Sequence, residues 1–64
     1  MYENQQAFRE EVVYDYEWVM NAYEPTNYAI ERTLSKLAFY NELYGEDKEI
    51  TKMAEKLFNK HCVR

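Results

Sequence analysis

YAIERTLSKLAFYNELY, residues 28–44, predicts a helix that is apolar on two opposite sides. Ile30, Leu34 and Leu37 recur at the 3.6-residue period of a helix and form one side. The opposite side carries three further apolar residues: Tyr28, Phe39 and Leu43. Apolar side chains stabilise a fold when another segment covers them, so a helix that is apolar on two sides requires two neighbouring segments. The chain supplies one apolar-striped segment before it and another after it.

Length and composition predict one small, all-helical domain over residues 1–64. The chain contains one glycine and one proline, which is too few turn-forming residues for an all-β fold. Ile, Leu, Val, Met and Phe supply 16 strongly apolar side chains, enough for a single core. A domain of this size buries only about 60% of its unfolded surface. The second apolar side of the central helix therefore predicts a partner, and a homodimer is favoured.

Charge and cysteine content predict a cytoplasmic protein. The chain has no run of about 18 apolar residues that could span a membrane. Its first residues lack the basic start and apolar run of a signal peptide. The single cysteine, Cys62, excludes an internal disulfide, and a reducing compartment is expected. The net charge is −4, and acids outnumber bases six to one in residues 1–24, which makes a nucleic-acid partner unexpected.

Three helices are predicted, at about residues 4–23, 26–44 and 47–62, in an antiparallel up–down–up bundle. Asn4, Thr26 and Asp47 are suitable N-caps. Pro25 cannot continue the first helix and therefore lies in the first connection. Gly45 can adopt the left-handed conformation that ends the second helix. Apolar residues at helical spacing form the predicted core: Phe8, Val12, Tyr16, Val19, Ile30, Leu34, Leu37, Ile50, Met53, Leu57 and Phe58.

The first helix carries a second aromatic face, which is the predicted partner-binding site. Tyr14 and Trp18 lie one turn apart, away from the apolar stripe of that helix. Four acidic residues flank them: Glu10, Glu11, Asp15 and Glu17. Aromatic side chains at the centre of a polar rim are typical of protein interfaces. Such a face could bind a basic groove, including one in a nucleic-acid enzyme, and could imitate nucleic-acid phosphate. The alternative is that Trp18 fills a seam between helices.

These features favour a small intracellular inhibitor or adaptor, of a kind typical of phage and mobile-element accessory proteins. The side of the central helix that carries Tyr28, Phe39 and Leu43 is a second candidate surface, for either a copy of the chain or its target. An alternative function is a dimeric nucleic-acid-binding regulator. It would use a row of lysines on the third helix: Lys48, Lys52, Lys56 and Lys60. A purely structural, self-assembling helical protein is a further alternative.

No catalytic, cofactor or metal site is predicted. His61 and Cys62 are adjacent, so on a helix their side chains diverge by about 100°. A zinc site needs about four converging ligands, and the chain has no other histidine or cysteine. Carboxylate pairs such as Glu10 and Glu11 would need a desolvated pocket to act as acid and base. The sequence therefore predicts a protein without enzymatic activity, cofactor or small-molecule substrate.

Residues 30–45 and 50–61 resemble the short helical-hairpin phosphatases that act on sporulation response regulators. Those proteins carry Ser-Gln-Glu-Leu-Asp on their second helix. The corresponding residues here are Ala54, Glu55, Lys56, Leu57 and Phe58, of which only the leucine matches. Phe58 stands at the aspartate position, so phosphatase activity is not expected to carry over. The resemblance covers about half of the chain and does not establish family membership.

Overall fold

Three helices make up the regular structure of residues 4–61. The computed structural model describes residues 4–61, in which α1 spans Gln5–Asn21, α2 spans Asn27–Tyr44 and α3 spans Lys48–His61. No strand occurs among these residues. With a radius of gyration of 11.4 Å, the fold is compact. The all-α prediction with three helices is confirmed.

Helix α1 begins at its predicted cap and ends two residues earlier than predicted. The Asn4 side chain accepts a hydrogen bond from the Ala7 backbone N–H at 2.8 Å, which satisfies one free donor of the first turn. Ala22 leaves the helix with an extended ψ of 141°. Its N–H still donates to the carbonyls of Trp18 and Val19. Pro25 disfavours helical geometry in the residue before it, so the connection to α2 is extended.

Helix α2 is bounded by a threonine and a glycine, as predicted. The Thr26 hydroxyl accepts a hydrogen bond from the Ala29 N–H at 3.1 Å. Gly45 has φ 89° and ψ 159°, so its φ is positive but its ψ lies outside the left-handed helical region that was predicted. A Cβ at this position would meet no atom within 4 Å. Glycine is therefore required here by backbone conformation and not by crowding.

The turn from α2 to α3 is held by Asn41 and Asp47. The Asp47 carboxylate accepts hydrogen bonds from the N–H groups of Glu49 at 2.9 Å and Ile50 at 3.3 Å, which caps α3 as predicted. The Asn41 side chain accepts from the Asp47 N–H at 3.0 Å and donates to the Thr51 hydroxyl at 2.9 Å. Side chains therefore bond the backbone of this turn directly. The predicted end of α3 at Cys62 lies outside the described residues.

Arg9 ties the start of α3 to α1. Its Nε donates to the Asp47 carboxylate at 3.2 Å, and its Nη2 donates to the Glu49 carboxylate at 2.6 Å. Burial of the Asp47 carboxyl opposes its ionisation. The hydrogen bonds from Arg9 and from the backbone of Ile50 and Glu49 outweigh burial and hold the pKa of Asp47 below its ordinary value of 3.8.

This lowered pKa predicts an acid-sensitive contribution to stability. Asp47→Asn keeps the oxygen that caps α3 but removes the charge and the oxygen that accepts from Arg9 Nε, so it should cost about 1 kcal/mol at neutral pH. An aspartate whose pKa is lowered in the folded state contributes its full stabilisation at a pH above its pKa in the unfolded chain. That contribution is lost as the pH falls through its pKa in the folded state. Urea denaturation from about pH 7 to about pH 2.5 should therefore show the two proteins converging in acid. A deficit that is equal at every pH would contradict this reading.

The core lies between all three helices and corrects part of the predicted list. Seven predicted core residues are buried: Phe8, Val12, Val19, Ile30, Leu37, Ile50 and Leu57. Tyr16, Leu34 and Met53 are partly buried and pack against this core. Phe58 was predicted to be buried, and this is wrong, because its side chain is 50% exposed. It lies about 80° around α3 from Ile50, at the edge of the apolar stripe.

Two buried residues of α2 were not predicted. Tyr40 is almost fully buried against Phe8 and Tyr44, with ring centroids 5.9 and 5.2 Å from its own. Its hydroxyl accepts a hydrogen bond from Gln5 Nε2 at 2.9 Å, so burying this tyrosine leaves its polar atom satisfied. Thr33 is the other, and its small side chain lies on the same buried side of α2. Within residues 4–61, no helix combines the length and apolar character that crossing a membrane requires.

Candidate protein-interaction site

Tyr14 and Trp18 form an exposed aromatic pair on α1. The buried residues Phe8, Val12 and Val19 turn one side of this helix towards the core. Tyr14 and Trp18 lie on the outer side, where they are 67% and 59% exposed. Trp18 therefore does not fill a seam between helices, which was the alternative expectation. Two large aromatic side chains remain in contact with water and available to a partner.

A shallow groove adjoins this pair at the carboxyl end of α1. It encloses about 360 Å³ and is lined by Tyr14, Glu17, Trp18, Asn21 and Ala22. The Asn21 side chain donates to the backbone carbonyl of Glu17 at 2.9 Å, which fixes one wall against the helix. Asn21 and Ala22 were not predicted as site residues. The i,i+3 and i,i+4 spacing from Trp18 was the signal that could have identified them.

The four predicted acidic residues separate into two pairs. Glu10 and Glu17 are exposed on the outer side of α1, and Glu10 accepts a hydrogen bond from Gln6 Nε2 at 3.0 Å. Glu11 and Asp15 instead bind Lys36 of α2, whose Nζ lies 2.7 and 2.6 Å from their carboxylates. One pair therefore faces solvent without a bound cation, and the other shares one lysine between two helices.

Lys36 was not predicted to take part in this region. Its side chain is 18% exposed, and that of Asp15 is 17% exposed. Burial lowers the pKa of the Lys36 ammonium, but the hydrogen bonds that it donates to Asp15 and Glu11 raise it more, so the net shift is upward from 10.5. Lys36 therefore stays charged at neutral pH. The three residues form an ionic cluster that positions α1 against α2.

The outer side of α2 is a second exposed surface. Tyr28, Phe39 and Leu43 are each more than half exposed. Phe39 still contacts the core edge-on, with its ring centroid 5.9 Å from that of Phe8. A shallow groove of about 570 Å³ runs beside it. The groove is lined by Arg32, Ser35, Lys36, Ala38, Phe39 and Glu42. Of these lining residues, only Phe39 was predicted as part of a contact surface.

The four lysines of the row on α3 are all exposed, but their surroundings differ. Lys60 Nζ donates to the backbone carbonyl of Met20 at 2.6 Å. That carbonyl belongs to the last turn of α1, where a cation is favoured by the helix dipole. Lys52 and Lys56 line a groove of about 420 Å³ together with Tyr16, Glu49 and Met53. Two of the four lysines therefore share a concave surface, and a third caps a neighbouring helix.

No converging set of metal ligands occurs in the described part of the chain. Among residues 4–61, no three His, Cys, Asp or Glu side chains cluster in a way that could hold an ion. His61 Nε2 is buried and has no hydrogen-bond partner among these residues. Cys62, its neighbour in the sequence, lies outside them.

No family model matches the chain, and neither a curated protein nor a solved structure shows significant similarity to it.

Proposed function

We propose that this protein is a non-enzymatic binding module that inhibits or redirects a larger protein through α1. The exposure of both Tyr14 and Trp18 beside two unneutralised carboxylates carries this proposal. Aromatic residues dominate the energetic centres of protein interfaces, and each costs at least about 2 kcal/mol when truncated there. The binding surface is the acidic aromatic face, defined as Tyr14, Trp18, Glu10 and Glu17.

The chemistry of this face specifies the chemistry of its partner. Trp18 and the adjoining groove require an apolar pocket, while Glu10 and Glu17 require basic residues around that pocket. A nucleic-acid enzyme has such basic surfaces, and the carboxylates would stand where phosphate oxygens bind. Glu11 and Asp15 act indirectly, because they hold Lys36 and thereby orient the helix. The cytoplasmic location expected from the sequence stays a prediction.

The scaffold of this face is an antiparallel up–down–up bundle. Bonds between α1 and α2 support opposite directions, since Gln5 bonds Tyr40 whereas Asp15, further along α1, bonds Lys36. Bonds between α1 and α3 support a common direction. Arg9 bonds Asp47 near both starts, and Lys60 reaches the Met20 carbonyl near both ends.

The double variant Tyr14→Ala/Trp18→Ala should weaken partner binding by more than about tenfold, because it removes both aromatic anchors. The partner can be captured by photo-crosslinking from the acidic aromatic face in a lysate of the cells that encode the protein. Its affinity is then measured by titration. Since Trp18 is the only tryptophan, 5-fluorotryptophan labelling gives one ¹⁹F resonance that should shift on binding.

The matched control is Tyr23→Ala. Tyr23 is 94% exposed but lies in the connection after α1, outside the lining of the groove. This variant should bind like wild type, and circular dichroism should show equal helicity for all three proteins. Unchanged affinity in the double variant would remove Tyr14 and Trp18 from the interface and end this proposal.

A nucleic-acid-binding regulator is the second candidate. The shared groove of Lys52, Lys56 and Tyr16 favours it, since a basic concave surface with an aromatic wall can hold a phosphate backbone. This function requires duplex or single-strand binding that weakens with salt and with Lys52→Gln/Lys56→Gln. A mobility-shift assay at low salt that shows no complex at micromolar protein would exclude it.

A further inference from the structure

The outer side of α2 carries two charges, on Arg32 and Glu42, that have no partner among residues 4–61. Arg32 and Glu42 are both exposed, and neither makes an ion pair or side-chain hydrogen bond with any residue of the described range 4–61. They are ten residues apart, or about 15 Å along the helix, so they cannot reach one another. By contrast, Arg9 and Lys36 each bind two carboxylates.

These two charges border an apolar contact surface. Arg32, Ser35, Phe39 and Glu42 line one groove on this side of α2. Phe39 projects from the surface and is half exposed, whereas Ser35, one turn before it, is small. The surface therefore offers a large apolar side chain, a small residue beside it, and an opposite charge at each end.

We propose that a second copy of this chain docks on this surface, with the two α2 helices antiparallel about a two-fold axis at the level of residue 37. In this register, Arg32 of each copy lies opposite Glu42 of the other. The two-fold axis repeats that ion pair, so two reciprocal pairs form. Phe39 of each copy lies over Ser35 of the other, which gives a large residue a small one to pack against.

The same register explains why α2 is apolar at both ends of its outer side. In this register, Leu43 of one copy lies opposite position 31 of the other. Tyr28 is three residues from that position, which is about 4.5 Å along the helix axis. Both side chains are exposed in the single chain. Charge complementarity thus selects the register, and the dimer covers Tyr28, Phe39 and Leu43 together. This surface is separate from the acidic aromatic face of α1.

Charge reversal tests the register directly. Arg32→Glu places like charges opposite one another at two symmetry-related positions, and Glu42→Arg does the same. Each variant should raise the dimer dissociation constant by at least about tenfold. The combined Arg32→Glu/Glu42→Arg protein should regain the wild-type constant. An equimolar mixture of the two single variants should form a 1:1 heterodimer, because all pairs across its axis are then opposite in charge.

Sedimentation velocity from micromolar to millimolar protein measures these states, and circular dichroism checks that each variant is folded. Tyr14→Ala/Trp18→Ala is the control and should dimerise like wild type, so a failed dimer and a failed partner site give different results. A wild-type monomer over the whole range would overturn the proposal. So would single reversals without effect, or single variants that form no heterodimer when mixed.

Discussion

Leu37→Ala should destabilise the protein by about 3 kcal/mol, which is a large share of its total stability. Leu37 has no exposed surface and lies in the core that all three helices share. Replacing a buried leucine with alanine removes apolar contacts and leaves a cavity, which costs about 2–5 kcal/mol. A domain of this length has a total stability of only about 3–10 kcal/mol. Thermal denaturation followed by circular dichroism should show a melting temperature lower by about 15 °C or more.

Leu43→Ala is the matched control for this experiment. It makes the same chemical change on the same helix, but the Leu43 side chain is 54% exposed. Its cost should stay within about 0.5 kcal/mol. Both variants are best compared at low protein concentration, where the proposed dimer is dissociated. Equal losses in the two variants would contradict the assignment of Leu37 to the core and of Leu43 to the surface.

Lys36→Met should cost about 2 kcal/mol at neutral pH. Methionine replaces most of the aliphatic stem of lysine, so the change removes mainly the charge. Glu11 and Asp15 are then left one turn apart without their shared cation, in a place where Asp15 is largely withdrawn from water. An incompletely solvated charge that loses its partner is strongly destabilising, and like charges at this spacing also repel. Chemical denaturation of both proteins gives the difference.

A triple variant separates the electrostatic part of this loss of stability from the part that is caused by lost packing. Adding Glu11→Gln and Asp15→Asn to the Lys36→Met protein removes the two charges that Lys36 had bound and should restore most of the stability. Lys56→Met is the control for removing a lysine, since Lys56 is exposed, and it should change stability by less than about 0.5 kcal/mol. If the triple variant is no more stable than Lys36→Met, the cluster is not electrostatic in origin.

The helix caps could be predicted from the sequence because each depends on contacts within a few residues along the chain. Asn4 and Thr26 cap helices by bonding a backbone N–H three residues away, so residue type and position suffice to predict them. Gly45 follows the same logic, although its ψ differs from the predicted region. The end of α1 was placed two residues late, because apolar periodicity continues to Tyr23 after the backbone has turned extended at Ala22.

The choice of buried residues depended on how helices meet. The pattern of α2 suggested Ile30, Leu34 and Leu37, but the residues most deeply buried on it include Thr33 and Tyr40. Tyr40 is buried because Gln5, 35 residues earlier, satisfies its hydroxyl and Phe8 packs on its ring. Neither contact is visible in a local window. Phe58 shows the converse, since it lies at the edge of the α3 stripe and is left half exposed.

The candidate site divides in the same way. Spacing placed Tyr14 and Trp18 opposite the apolar stripe of their own helix but left open whether Trp18 fills a seam between helices, and the structure leaves it exposed. Spacing could not show which of the surrounding carboxylates are paired, because the cation that binds two of them belongs to another helix. Lys36 binds both Glu11 and Asp15, whereas Glu10 and Glu17 face solvent. Spacing cannot predict a cation that is supplied from more than 20 residues away.

The sequence by itself determined three helices, their caps and the side of each that is apolar, because a helix fixes these through contacts within about four residues. The tertiary structure decided which apolar residues are covered, which charges are paired, and that Trp18 stays exposed. Those outcomes depend on how three helices of unequal apolar width share one small core. The core covers one side of α2 and leaves the side with Phe39 and Leu43 uncovered.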